Sequence, residues 1–170
     1  MSQAWTTPVR LHEIPRTLRL KPDADERSGI ARRLGLESLP ALTAELTLKP
    51  WMDGVEITGR FDAQVEQICA VSLDAFVHPL HGQIDLRCVP AGSPQAPSAD
   101  GGEIDYDPEA PDPPDVLEGD AIDVAAYVVE HLALEIDPFA RKPGVAFDYA
   151  PDTGPESPFA VLKKLRDREP

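Results

Sequence analysis

Residues 41–65 read ALTAELTLKPWMDGVEITGRFDAQV, and their polarity repeats every two residues. Leu42, Ala44, Leu46 and Leu48 alternate with Thr43, Glu45, Thr47 and Lys49, the pattern of a strand with one face buried and the other in water. The MDG at 52–54 predicts a hairpin, because Asp-Gly accepts the positive φ of a tight turn. Val55, Ile57, Phe61 and Val65 mark the second arm, and a change of phase near Gly59 predicts a bulge or bend there. In AFVHPLHGQIDLRCVP (75–90), Ile84, Leu86 and Cys88 face one way and Asp85 and Arg87 the other. Three successive strands on short turns predict an antiparallel meander.

The flanking sequence supplies helices. KPDADERSGIARRLG (21–35) predicts one with Pro22 in its first turn, early acidic residues, Gly35 as its stop and Ile30, Ala31 and Leu34 on its apolar side. Gly29 weakens it. TPVRLHEIP (7–15) reads as a short extended segment. The clearest helix is DAIDVAAYVVEHLALEIDP (120–138), capped by Asp120 and followed by Pro138. Ala121, Ala125, Val128, Leu132 and Ile136 form its stripe, widened by Val124, Val129 and Ala133. A last short helix is predicted in SPFAVLKKLRDREP (157–170), with Ser157 as cap and Phe159, Leu162 and Leu165 on one side.

Charge is unevenly placed. The chain of 170 residues carries a net −14. Residues 91–158 hold 2 basic and 16 acidic side chains, whereas residues 1–90 hold 10 and 12. Within 91–120, nine acidic residues, many prolines and glycines and few apolar groups predict a disordered acidic loop at about 91–118. Nineteen prolines imply much turn, extended or disordered backbone. The N-terminus MSQAWTTPVRLHEIP has no apolar run of the signal-peptide kind, and no stretch approaches the roughly 18 apolar residues of a membrane span, so a soluble cytoplasmic protein is expected. The expected fold is a single α+β domain over residues 1–170. It is an antiparallel β meander packed by an amphipathic helix, with the disordered acidic loop and the short C-terminal helix.

One cluster invites a chemical reading. Cys69, Ser72, His78 and His81 lie within QICAVSLDAFVHPLHG (67–82), and Cys88 follows. As metal ligands they would be spaced C-x8-H-x2-H-x6-C, which has only one tight pair, and that one at a poor interval. As a nucleophile, Cys69 or Ser72 would need a base held within reach, yet His78 and His81 flank Pro79 in what reads as an exposed turn. Buried thiols in strands account for both cysteines. No catalytic residue, metal or cofactor is therefore expected, and no small-molecule substrate. His131 reads as structural. Lys163, Lys164, Arg166 and Arg168 form a net-positive C-terminal tip, a candidate surface for a partner or for RNA phosphates as well as a favourable helix end.

Three blocks in order resemble the YceD family, the large ribosomal RNA subunit accumulation proteins of bacteria and plastids. They are VEQICAVSLDAFVHPLHGQIDLR (65–87), EGDAIDVAAYVVEHLALEIDPFARKPG (118–144) and SPFAVLKKLR (157–166). Many relatives carry Cys-x-x-Cys at the first block's turn; here Ser72 stands at the second position. If relatives bind zinc there, this chain lacks the ligand set. The resemblance implies a non-enzymatic role in synthesis, processing or accumulation of 23S rRNA and in large-subunit biogenesis. Its partners would be ribosome assembly or rRNA-processing proteins, or 23S rRNA itself. A different class of reading is an acidic interaction module, or nucleic-acid mimic, that binds a basic partner.

Overall fold

The alternation of 41–65 becomes the centre of a five-stranded sheet. In the computed structural model, which describes residues 4–97 and 112–148, the strands are β1 (Pro8–Arg10), β2 (Arg16–Leu20), β3 (Ser38–Trp51), β4 (Gly54–Ile68), β5 (Ala75–Pro90), β6 (Asp115–Leu117) and β7 (Ala121–Asp123). Two helices accompany them, α1 (Ala24–Leu34) and α2 (Val124–Glu135). The large sheet has the order β2-β3-β4-β5-β6, and β1 pairs with β7 in a separate two-stranded ribbon. The architecture is α+β, with an antiparallel meander from β2 to β5.

Register follows from the pleat. Leu42, Ala44, Leu46 and Leu48 pair with Ala63, Phe61, Gly59 and Ile57, all on the face that packs against the helices. From α1 come the buried Ile30 and Ala31, and from α2 Val124, Val128, Val129 and Leu132. The opposite face is wet. There Glu45 binds both Arg19 and Arg60 across three strands, and Arg87 pairs with Glu56 at 3.3 Å while lying 5.2 Å over the Trp51 ring. Exposed pairs of this kind contribute about 0–1 kcal/mol each, so the apolar face supplies most of the stability.

Several expectations are corrected. The bulge expected near Gly59 is absent: pairing runs unbroken through it, from Leu46 on one side to Ile84 on the other. A Cβ at Gly59 would sit 2.2 Å from the Glu45 carbonyl oxygen, so glycine serves close approach of the strands. The turn expected at Pro79 is a strand position, opposite Gln64. Proline is tolerated there because at this position β5 has β4 on one side and, among the described residues, no strand on the other, β6 pairing only with Cys88–Pro90. The register shift lies instead at Ser38/Ala41, around Pro40.

The C-terminal end of the acidic segment and the start of the helix after it also differ from expectation, while residues 98–111 of the expected loop lie outside the described residues. Residues 115–117, assigned to the loop at about 91–118, form β6, which runs parallel to β5 and buries Leu117. Composition hides this strand because its pairing partner lies more than twenty residues away. The helix expected from 120 begins at Val124, because Ala121–Asp123 pair with Pro8–Arg10. Asp123, not Asp120, is its N-cap: its Oδ1 accepts from Ala125 N at 3.2 Å and from Thr7 N at 2.7 Å. One carboxylate thus caps α2 and ties down the N-terminal segment. In α1 the cap is Asp23, which forms a reciprocal box with Glu26, and Gly35 ends the helix at φ 69°. The expected C-terminal helix at 157–170 lies outside the described residues.

Gly82 faces Phe61 across β4 and β5, and a Cβ there would lie 2.3 Å from the ring. Phe61 is buried and cannot swing aside. Gly82→Ala should therefore lower stability by about 1–3 kcal/mol, as overpacking does, measured as a drop in the urea midpoint. An unchanged midpoint would mean that the ring has room to move.

Candidate functional site

The hydrogen bonds that end β4 build a place where two distant sequence blocks lock together. Cys69 opens the turn to β5: its N–H donates to the Asp74 carbonyl at 2.8 Å, and its carbonyl accepts from Leu73 N at 3.0 Å. Leu73 adopts φ 61°, a left-handed conformation uncommon for leucine, and stands exposed at the tip. This curl points the Ser72 N–H back at the Cys69 sulfur, 3.4 Å away.

The second half comes from the chain after α2. Residues 137–145 lie over the turn with no helix or strand of their own. Ala140 accepts from Ala70 N at 2.9 Å, and Lys142 N donates to Cys69 Sγ at 3.4 Å. Gln67 Nε2 donates to the Asp137 carbonyl at 3.0 Å, and Lys142 Nζ stands 3.7 Å from the Asp74 carboxylate. Cys69, Phe76 and Ala140 are buried together with Val71 and Val145 against them, a small core separate from the main one.

The sulfur is therefore ringed by donors. The Ser72 hydroxyl, then the N–H groups of Ser72, Lys142 and Val71, hold the Cys69 thiol well below its ordinary value, at about 6. The side chain is inaccessible to solvent. Burial opposes the thiolate, but the donors' stabilisation outweighs it. Ser72 is the largest contributor to that stabilisation. The arrangement makes a stabilised thiolate that a substrate cannot reach while the segment stays down.

The other candidates of the cluster are dispersed. His78 lies on the helix-packed face of β5 opposite Val65, and its Nε2 is 2.8 Å from Gln67 Oε1. His81, three residues on, points to the wet face and meets Asp62 at 2.6 Å. Ligands on opposite faces cannot share an ion. Cys88 is ten positions beyond His78, about 30 Å along the strand. It sits 3.5 Å from the Tyr127 hydroxyl, and burial pushes its thiol up to about 11. Burial also pushes the Tyr127 hydroxyl well above its usual range. No group of three or more His, Cys, Asp or Glu arranged to hold a metal occurs among the described residues. His131 Nδ1 is 2.9 Å from the Tyr127 carbonyl within α2. Lys163, Lys164, Arg166 and Arg168 lie outside the described residues.

Sequence reasoning did not assign a role to Ala140 or Lys142. The signal was the run DPFARKPG, whose prolines and glycine mark an ordered non-helical segment rather than a plain linker. Only the fold shows that it closes over Cys69.

A family model described as "Large ribosomal RNA subunit accumulation protein YceD" matches residues 57–166, a span that contains both halves of this clamp. No curated protein and no solved structure matches the chain. Among the described residues, no helix is long and apolar enough to cross a membrane.

The thiolate has a pH signature. The Cys69 pKa is lower in the folded chain than the roughly 8.5 of a free thiol. Its contribution to stability is therefore fully present above about 8.5 and is lost as pH falls through about 6. Ultraviolet thiolate absorbance should titrate near pH 6 in the native protein and lose that step in Cys69→Ala. Absorbance rising only above pH 8 would show that the donors do not act on the sulfur.

Proposed function

This chain belongs to the YceD family of large ribosomal RNA subunit accumulation proteins, and we propose that it serves that process as a cytoplasmic, non-enzymatic factor supporting the synthesis, processing or accumulation of 23S rRNA. The observation that carries the reading is the family match over residues 57–166, which takes in the meander's last two strands, α2 and the clamp on Cys69. The side chains that would have to do chemistry support it as well. Cys69 and Cys88 are both buried, and His78 and His81 are held apart on opposite faces by Gln67 and Asp62.

The mode of action we favour is adaptor binding to ribosome assembly or rRNA-processing proteins. A chain of net −14 is poorly matched to a broad phosphate surface and well matched to basic proteins. Direct contact with 23S rRNA would fall to the basic tip, Lys163, Lys164, Arg166 and Arg168. The concentration of 16 acidic side chains in residues 91–158 favours a second reading, a module that mimics nucleic acid and occupies a basic partner.

Depleting the protein in its own cells should lower 23S rRNA relative to 16S rRNA, and equal loss or no loss of the two would contradict the proposal. Complementation with a Lys163→Ala, Lys164→Ala, Arg166→Ala, Arg168→Ala variant of unchanged melting should fail if the tip engages the particle. If the tip touches phosphate, the salt slope of binding should fall by about 0.7 to 0.9 per lost contact. Full rescue and parental co-sedimentation would reduce the tip to a solvated chain end.

A further inference from the structure

Residues 4–7 run past α1 and the first turns of α2 and leave between them a cavity of about 450 Å³. Its apolar lining is Trp5, Ile30 and Val129, the last two buried in the main core. Gly29 lines it from the middle of α1. A glycine in a helix interior costs up to about 1 kcal/mol relative to alanine.

The charged groups around this cavity are not balanced in what they are free to bind. Both carboxylates that line it are already occupied by backbone: Glu26 accepts from Asp23 N at 2.7 Å, and Asp123 accepts from Thr7 N and Ala125 N. Arg32 and Arg33, by contrast, take part in no ion pair among the described residues; Arg32 makes only a 3.3 Å bond to the Ser28 carbonyl. The Trp5 indole N–H likewise has no partner among the described residues. Two adjacent guanidiniums without carboxylates are conspicuous in a chain of net −14. A dipole-favouring role at the end of α1 would account for their charge but not for the apolar cavity beside them.

We propose that this cavity binds the free C-terminal residue of a partner polypeptide, with an apolar side chain against Trp5, Ile30 and Val129 and its α-carboxylate on Arg32 and Arg33. The α-carboxylate shares a Cα with the side chain, so both groups fit within one cavity of this size, which lies in the usual range for ligand sites. A guanidinium fork matches a carboxylate in a bidentate manner. A nucleic-acid strand fits less well, because Glu26, Asp123 and the net charge of −14 repel a polyanion while tolerating a single carboxylate. Most of the lining precedes residue 57, outside the family match, so the site is independent of the ribosomal reading.

The test follows the two indole N–H signals of the intact chain by NMR, with Trp51 on the wet face as internal control. N-acetyl-Leu-Phe with a free carboxylate should shift the Trp5 signal and leave Trp51 in place. Its C-terminal amide should bind at least about tenfold more weakly, the loss expected when a charge-assisted pair is removed. Arg32→Gln with Arg33→Gln should abolish the preference for the acid. Gly29→Leu, which places a side chain in the cavity and leaves every charged residue in the chain, should abolish both shifts while leaving the melting curve in place or raised. Equal binding of acid and amide, a Trp5 shift with oligouridylate but not with the peptide, or no peptide shift at all would each overturn the proposal.

Discussion

The structure depends on the register of β4. This strand has a neighbour along nearly its whole length on both sides, β3 from Trp51 back to Ser38 and β5 from Cys88 back to Ala75. Its side chains alternate between a face built of Val55, Ile57, Phe61, Ala63 and Val65 and a face of Glu56, Thr58, Arg60 and Asp62. A slip of one residue would exchange the two faces, placing carboxylates in the core and phenylalanine in water. Each large apolar side chain contributes about 1.5–3 kcal/mol when buried, so the slipped alternatives are far higher in free energy. Close approach at Gly59 and the room that Gly82 leaves for Phe61 hold the same register by shape.

That register decides where the chemistry-bearing residues go. It delivers Cys69 to the end of the ladder, where the turn folds its own N–H groups and that of Lys142 onto the sulfur. It also puts His78 and His81 on opposite faces and carries Cys88 to the far end of β5. Four residues that look like one cluster in the chain are thereby separated, and one of them gains a partner segment more than seventy residues away. The clamp is a structural joint: it ties the chain leaving α2 to the sheet without a helix or strand of its own.

How much of this was legible in the sequence depended on whether the interaction was local. The alternation Leu42–Leu48, the hairpin that follows it, α1 with Gly35 as its stop and the apolar stripe of α2 were legible, because each is a periodic or turn signal within a dozen residues; the positive φ of that hairpin, however, falls on Met52 and not on the Asp-Gly pair, whose glycine already opens β4. What was missed rests on distant partners. β2 is only five residues long and is fixed by pairing with β3; β6 is fixed by β5; and Ala121–Asp123 left the helix for the ribbon with Pro8–Arg10. Pro79 and Gly59 misled for a related reason. Their strand-breaking tendency is conditional on a second neighbour or on steric room, and neither can be read from the residue itself. The closure of Lys142 over Cys69 had no local signal beyond a run of Pro and Gly.

Residue-resolved amide hydrogen exchange on the intact chain tests most directly the claim that the β4 register anchors the fold and that the clamp hangs from its end. The amides of β4 within the ladder should be the slowest in the protein, opening only with global unfolding. The Ser72 and Lys142 amides should be protected although neither lies in a helix or strand, and they should lose that protection in Cys69→Ala while β4 stays unchanged. If β4 exchanges as fast as the β1–β7 ribbon, or the Lys142 amide exchanges like open chain in the parent protein, the account is contradicted.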